Sequence, residues 1–146
     1  MKIALGCDHA GFPLKSMVAE WITPWGHQIL DVGAKTLEPE DDYPDFAKAV
    51  SLALQEGRAE RGILVCGSGV GVSIAANKFK GIRAAFCGDT FSAHQGVEDD
   101  DANVLCLGAR ITGPSLAKDI VQAFLAARFS GAIRHVRRVN KVKSFE

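Results

Sequence analysis

Three glycines that alternate with small residues follow a short apolar run, and a cysteine stands at the junction. The run 63–65 leads into Cys66, and the alternation consists of Gly67, Ser68, Gly69, Val70 and Gly71. Glycines at every second position let the backbone approach a ligand closely, and a helix that begins there points free N–H groups at a bound anion. Cys66 could act as a base and Ser68 as a proton carrier. The stretch predicts a reaction centre, and a tight strand-to-helix turn with a buried cysteine is the structural alternative.

Composition limits what the rest of the chain can be. Its 146 residues suit one domain with a hydrophobic core, and 47% hydrophobic with 23% charged residues is typical of a soluble globular protein. No apolar run is long enough to span a membrane, and a formal net charge of zero gives no overall field that attracts nucleic acid. Met1 leads directly into a strand pattern without the apolar region of a signal peptide, so we expect a cytoplasmic protein.

The four cysteines are not spaced like those of a zinc site or a redox motif. Cys7, Cys66, Cys87 and Cys106 form no CxxC pair, and each falls at or within a predicted buried strand. Reduced thiols in a cytosolic protein are the simplest interpretation.

Apolar runs and amphipathic stretches alternate along the chain. Strands are predicted at 2–7, 27–32, 63–65, 82–86 and 103–107, and helices at 12–25, 45–55, 90–96 and 112–128, with one more after the glycine loop and an acidic loop at 99–101. This order predicts a single-domain α/β fold with a doubly wound, five-stranded parallel sheet and three Rossmann-like layers. In the remaining tail, 129–146, valines recur every third residue. We expect it to form a helix that packs on a partner subunit.

Parallel strands present their carboxyl ends at one edge of the sheet, where ligands bind in open α/β folds. The predicted strands place six polar or reactive side chains there: Asp8, His9, Cys66, Ser68, Asp89 and Arg110. Packing alone does not explain so many such groups on one edge. The edge therefore predicts a functional site.

A dinucleotide site is one alternative for this edge. Gly67, Gly69 and Gly71 follow a strand, and Asp89 lies near the end of the next one, where a ribose-binding acid would be expected. The Gly-x-Gly-x-x-Gly fingerprint, however, needs a glycine where the chain has Val72. A chain of this length also leaves little room for a separate substrate domain.

A metal site is a second alternative. Its ligands would be the three acids at 99–101 together with Asp89 or His94. Consecutive carboxylates are more often a solvated surface run, and the spacing of a calcium loop is missing. We therefore expect no metal.

Proton transfer on a phosphorylated sugar fits the residue types best. Aldose–ketose isomerisation needs a base that moves a proton between C1 and C2, donors around the developing oxyanion, and cations for the phosphate. Cys66 supplies the base and the glycine loop supplies the donors. Arg110, Arg134 and Arg138 supply guanidinium groups, of which the last two lie four residues apart on one predicted helix.

Segments along nearly the whole chain resemble the type B ribose-5-phosphate isomerases and their relatives, the galactose-6-phosphate isomerase subunits and the tetrose-phosphate isomerases. The matching segments are 6–11, 31–33, 43–47, 62–71, 75–78, 81–85, 102–105 and 108–110, together with Arg134, His135 and Arg138. The resemblance implies an isomerase that needs neither metal nor cofactor. It also implies a homodimer, or a dimer of dimers, with each active site at the subunit interface.

The resemblance also implies a role for each site residue. Cys66 is similar to the family's base, and Ser68 replaces the more usual threonine as the hydroxyl that moves protons between the substrate oxygens. The loop Gly67, Gly69, Val70 and Gly71 would hold the enediolate. Asp8 and Tyr43 would contact sugar hydroxyls, and His9, Arg110, Arg134 and Arg138 would surround the phosphate, partly from the second chain.

One departure from the family pattern bears on the substrate. Where the ribose enzymes carry His-Asn-Asp-Ala-Asn, this chain has Asp99 and Asp100 before Asp101-Ala102-Asn103. The histidine that opens the furanose ring and the asparagine after it are thus both carboxylates. Either Asp99 opens a furanose as a carboxylic acid, with Asp100 beside the substrate, or the substrate needs little opening, as a tetrose 4-phosphate would. Ribose 5-phosphate is the preferred expectation; a tetrose phosphate or another sugar is the alternative.

Overall fold

The computed structural model describes all residues from Met1 to Glu146 and contains one sheet of five parallel strands. The strands, in chain order, are β1 (Lys2–Cys7), β2 (Gln28–Asp31), β3 (Arg61–Cys66), β4 (Ala84–Phe86) and β5 (Val104–Gly108). Their order in space is β2-β1-β3-β5-β4. The chain moves from β1 to β2 on one side and to β3 on the other, so the order reverses between β1 and β3. Ligands in such sheets bind at the carboxyl ends on either side of that reversal.

Helices cover both faces of the sheet. They are α1 (Phe12–Ile22), α2 (Tyr43–Gln55), α3 (Val70–Ala76), α4 (Thr90–Asp100), α5 (Pro114–Ala126) and α6 (Ile133–Lys143). Residues 3, 5 and 7 of β1 pack with α1, α4 and α5 in one core, while residue 4 packs with α2 and α3 in the other. Because both faces are buried, the central strands are apolar throughout rather than alternating with polar residues. The predicted three-layer, doubly wound α/β fold is confirmed.

Three helix limits differ from the prediction. Helix α1 ends at Ile22 instead of Trp25 because the chain turns at Thr23–Gly26, where Gly26 has a φ of 85°. Helix α2 begins at Tyr43 rather than Asp45, and α5 begins at Pro114, with Gly113 as its N-cap, rather than at residue 112.

The prediction of a loop at 99–101 was wrong, because α4 continues through Asp100. Ala93 and Val97, one turn apart, are buried against the core and carry the helix past Gly96. The helix ends at Asp101, whose φ of 53° is left-handed and whose carboxylate and carbonyl both accept hydrogen bonds from Arg83. Arg83 precedes β4, so the acidic run lies at the amino edge of the sheet.

The predicted tail helix is present as α6, and it packs on α4 of its own chain. His135 and Val139 are buried there, while Ile133, Arg134 and Arg138 on the same helix are exposed. One face of α6 is therefore used within the chain and the other is free. No helix of the structure combines the length and apolar character needed to cross a membrane.

Candidate active site

Cys66 is the last residue of β3, and its sulfur is held by the loop that follows. The backbone N–H of Gly69 donates a hydrogen bond to Cys66 Sγ at 3.0 Å, and the side chain is 5% exposed. This bend requires Gly69 to adopt a φ of 80°, and a Cβ there would lie 2.7 Å from the Phe86 ring. The loop therefore wraps an N–H donor around the thiol, an arrangement that stabilises negative charge on sulfur.

The loop's own Ser68 and side chains from two other parts of the chain surround this site. The Ser68 hydroxyl is exposed and accepts a hydrogen bond from Val70 N–H at 3.4 Å. The Tyr43 ring lies over Gly71 so closely that a Cβ at residue 71 would come within 2.9 Å of it. Arg110 N–H donates to the Gly67 carbonyl at 3.0 Å, and its guanidinium lies beside Gly67. Phenol, hydroxyl and guanidinium groups thus meet at one loop.

Asp8 and His9 lie at the adjacent strand end, across the reversal between β1 and β3. Asp8 N–H donates to the Val65 carbonyl at 3.3 Å, and Asp8 Oδ1 accepts a hydrogen bond from Gly11 N–H at 3.0 Å. His9 Nδ1 lies 2.6 Å from Asp41 Oδ1. One oxygen of Asp8 caps the turn, which leaves the second for a ligand.

The structure therefore brings the first group of sequence-predicted residues together in one chain. This group, which we call the loop set, consists of Asp8, His9, Tyr43, Cys66, Gly67, Ser68, Gly69, Val70, Gly71 and Arg110. Its members come from the carboxyl ends of β1, β3 and β5 and from the start of α2. The set combines a thiol, a hydroxyl and basic side chains around the backbone amides of the loop.

The second group lies elsewhere, and we call it the helix set: Asp99, Asp100, Arg134 and Arg138. Helix α4 starts after β4 at the carboxyl edge and runs back along the sheet, so its 11 residues carry Asp99 and Asp100 about 16 Å from that edge. Helix α6 packs at the same end. Within one chain, the helix set does not meet Cys66.

Asp99 is already held by neighbours on α4 and α6. Gln95 Nε2 donates a hydrogen bond to Asp99 Oδ2 at 2.9 Å, and His135 Nδ1 lies 3.3 Å from Asp99 Oδ1 and 2.7 Å from Ser130 Oγ. Asp100 is exposed and lines a cavity of about 700 Å³ between α4, α6 and the segment before β4. Arg134 and Arg138 make no hydrogen bond or ion pair within the chain.

The contacts of the acidic residues bear on the two alternative interpretations of the sequence, a dinucleotide site and a metal site. Asp89 caps α4 with both carboxylate oxygens, since Ser92 N–H and Ser92 Oγ donate to them at 2.7 and 2.8 Å, so this acid has a structural role at the start of the helix. These hydrogen bonds from Ser92 lower the pKa of Asp89. The acids at 99–101 form no metal-binding group with Asp89 or His94. The one group of three potential ligands is Asp8, His9 and Asp41, whose donor atoms lie within 4.8 Å of one another, and the His9–Asp41 hydrogen bond already uses two of them.

The other three thiols differ from Cys66 in their surroundings. All four cysteines are free. Burial raises the pKa of Cys7 to about 11 and that of Cys87 to about 11, and burial followed by the nearby Cys66 and Cys87 raises the pKa of Cys106 further. These three thiols therefore stay protonated at neutral pH and serve as core side chains.

Sequence reasoning assigned no role to three residues at these sites. Asp41 binds His9, Phe86 packs on Gly69, and His135 contacts Asp99. The acidic stretch before Tyr43 was recognisable as a loop, but nothing in its spacing indicates which carboxylate turns toward residue 9. The contacts of Phe86 and His135 depend on tertiary packing, which leaves no local signal.

Comparison with known proteins agrees with this geometry. The family model of the Ribose/Galactose Isomerases matches residues 3–142. Ribose-5-phosphate isomerase B of Escherichia coli is 46% identical over 145 residues, which cover 99% of this chain and 96% of that protein. D-erythrulose-4-phosphate isomerase of Pectobacterium atrosepticum is 39% identical over 146 residues, which cover 100% of this chain and 95% of that protein.

A solved structure is similar over the same span. Clostridium thermocellum ribose-5-phosphate isomerase B superimposes with a TM-score of 0.96 at 45% identity, covering 99% of this chain and 97% of that one. Matches of this extent in sequence and structure include all three strand ends that contribute to the loop set. The chain therefore belongs to the Ribose/Galactose Isomerase family.

Proposed function

We propose that the protein is an aldose–ketose isomerase that interconverts ribose 5-phosphate and ribulose 5-phosphate through an enediolate, without metal or cofactor. The observation that carries the proposal is the Cys66 sulfur, which lies at a strand end and accepts a hydrogen bond from Gly69 N–H beside the Ser68 hydroxyl. Full-length similarity to ribose-5-phosphate isomerase B supports the choice of substrate.

Each step of the reaction is assigned to a group of the loop set. The Cys66 thiolate removes the proton from C2 of the open-chain aldose and returns it to C1, forming the ketose. Ser68 moves the hydroxyl proton from one substrate oxygen to the other. The backbone amides of Gly67, Gly69, Val70 and Gly71 stabilise the negative charge of the enediolate. Such stabilisation is strongest when the donors are held in place before the reaction. Asp8 and Tyr43 bind sugar hydroxyls, and His9 and Arg110 bind the phosphate.

We infer that the protein acts as a homodimer, or a dimer of dimers, in which the helix set of one chain completes the loop set of the other. The exposed guanidiniums of Arg134 and Arg138 have no partner in their own chain, and a substrate phosphate is the type of ligand they suit. Asp99 and Asp100 would come to the sugar with them. The tail 129–146 thus packs on the partner through the face of α6 that its own chain leaves free.

Exposed apolar side chains support this assembly. Val70, Ile74, Phe86 and Phe91 lie around the loop set with 40% to 72% of their surface exposed, and Ile133 on α6 is 88% exposed. Large apolar side chains concentrated around a polar site are typical of an interface.

Four free, buried cysteines also suit a reducing compartment, so we infer a cytoplasmic location.

A tetrose 4-phosphate is the second candidate substrate, and the contacts of Asp99 favour it. Opening a furanose ring needs a proton donor, whereas Gln95 Nε2 donates a hydrogen bond to the Asp99 carboxylate and uses it as an acceptor. A tetrose phosphate is too short to form a ring through its phosphorylated oxygen. The similarity to a D-erythrulose-4-phosphate isomerase agrees with this candidate.

Steady-state kinetics with both substrates test the choice. We expect kcat/KM for ribose 5-phosphate to exceed that for erythrulose 4-phosphate, and Asp99→His to change the ribose value less than about threefold. Glu98→His, at the neighbouring exposed position, is the control for a histidine on this helix. A preference for the tetrulose phosphate of more than about tenfold, or about 1.4 kcal/mol in transition-state stabilisation, would replace the pentose with the second candidate.

A further inference from the structure

Asp41 makes two contacts with a single residue that lies 32 positions earlier in the chain. Its Oδ1 accepts a hydrogen bond from the backbone N–H of His9 at 3.1 Å and lies 2.6 Å from Nδ1 of the same residue. The acidic segment between β2 and α2 therefore folds back onto the end of β1. Backbone and ring of His9 are fixed together by one carboxylate oxygen.

This contact determines which ring nitrogen of His9 carries a proton. A carboxylate only accepts hydrogen bonds, so the proton between the two side chains belongs to Nδ1. The other nitrogen, Nε2, has no partner within the chain, and 30% of the His9 side chain is exposed. Nε2 is therefore the ring atom left for a ligand at the carboxyl edge of the sheet.

The Asp41 carboxylate is largely buried, and His9 is its one side-chain partner. Only 13% of the Asp41 side chain is exposed, its Oδ2 is buried without a hydrogen-bond partner, and no lysine or arginine lies within ion-pair distance. His9 is thus the only basic side chain within reach of this carboxylate. A buried acceptor left unsatisfied costs free energy, and such groups in native proteins often serve a function.

We propose that Asp41 is a positioning residue that keeps the ring proton of His9 on Nδ1, so that Nε2 faces the substrate and, once the phosphate binds, carries a second proton and donates to it. This inference rests on the proposed function, which supplies the phosphate. Asp41 itself touches no substrate. Its carboxylate aligns the ring and offsets the positive charge, and the imidazolium in turn offsets the dianionic phosphate.

Asp41→Asn tests the proposal, because it keeps an acceptor oxygen for His9 and removes the charge. We expect KM for the sugar phosphate and the inhibition constant of inorganic phosphate each to rise about tenfold, while kcat falls less than threefold. Asp42→Asn is the matched control: it removes the same charge from the adjacent exposed residue, whose side chain caps nothing, and we expect no change. Unchanged constants in Asp41→Asn would overturn the proposal.

A double-mutant cycle with His9→Gln separates positioning from general stability. If Asp41 acts through His9, Asp41→Asn adds no further loss of phosphate affinity in the His9→Gln background. An equal loss in both backgrounds, or a lowered melting temperature with parallel losses in kcat and affinity, would assign Asp41 a structural role and contradict the proposal.

Nitrogen-15 NMR of the histidines in the full-length wild-type protein gives an answer even if the variants do not fold. We expect His9 to be protonated at Nδ1, and at both nitrogens once inorganic phosphate is added. A ring protonated only at Nε2 would overturn the proposal.

The tests also distinguish this inference from the proposed function. If the wild type turns over no sugar phosphate but loses phosphate binding on Asp41→Asn, the proposed function fails and the positioning role stands. If the wild type is an active isomerase and Asp41→Asn behaves like Asp42→Asn, only the positioning role fails.

Discussion

Replacing Cys66 with alanine is expected to lower kcat/KM for the sugar phosphate by about 10³-fold or more, since general acid–base groups contribute on the order of 10² to 10⁴. The variant loses the only group assigned to carry the proton between C1 and C2. The loop amides and cations remain, so substrate binding, measured by calorimetry, should stay within about threefold of the wild type.

Cys87→Ala is the control for removal of a buried thiol. Burial raises the pKa of Cys87 to about 11, so this thiol is neutral at working pH, and it lies after β4, on the other core from Cys66. We expect its kcat/KM to remain within about twofold of the wild type. A Cys66→Ala enzyme that keeps its turnover would exclude the thiol as the base.

The double variant Arg134→Ala/Arg138→Ala is expected to lower kcat/KM by about 100-fold or more, mainly through KM. Each guanidinium would make a charge-assisted hydrogen bond to the phosphate, worth about 1.5–3 kcal/mol. Neither side chain has a partner in its own chain, so the melting temperature of the isolated chain should not fall.

Lys143→Ala is the matched control for charge on this helix. Lys143 is exposed on α6, and at 100° per residue it points away from the Arg134 side. We therefore expect Lys143→Ala to leave KM for the sugar phosphate unchanged. A double variant with wild-type KM for the phosphorylated substrate would remove α6 from the phosphate site.

The sequence predicted that most side chains of the loop set meet, because the ends of strands determine where they lie. Apolar runs mark where β1, β3 and β5 stop, and parallel strands bring those ends to one edge regardless of loop details. Cys66 ends such a run, Asp8 directly follows one, and Arg110 lies two residues after one. Their meeting therefore follows from topology alone.

The helix set was less predictable because its positions depend on tertiary contacts. Gly96 and three consecutive acids suggested that α4 ends early, yet burial of Ala93 and Val97 extends the helix to Asp100. Packing against the core outweighs the low helix propensity of glycine and aspartate. The contact between Asp99 and His135 then depends on how α6 folds back, which no local pattern encodes.

The packing of the tail 129–146 was also not predictable from its local sequence pattern. Valines at a spacing of three predicted a helix, and α6 is that helix, but its Val139 packs on its own chain while Val142 and Val136 stay partly exposed. The spacing of apolar residues identifies the apolar face of a helix. It does not indicate whether the surface that packs on this face belongs to the same chain or to another.

The central claim is that Cys66 of one chain works with Arg134 and Arg138 of a second, and mixing two inactive variants tests it directly. Co-expression of Cys66→Ala with Arg134→Ala/Arg138→Ala, carrying different tags, gives mixed dimers that can be purified by both tags. Each mixed dimer would contain one site with both an intact Cys66 and intact arginines, so we predict about half of the wild-type kcat per dimer. Mixed dimers no more active than either parent variant would contradict the claim, because a site built within one chain cannot be restored by a partner.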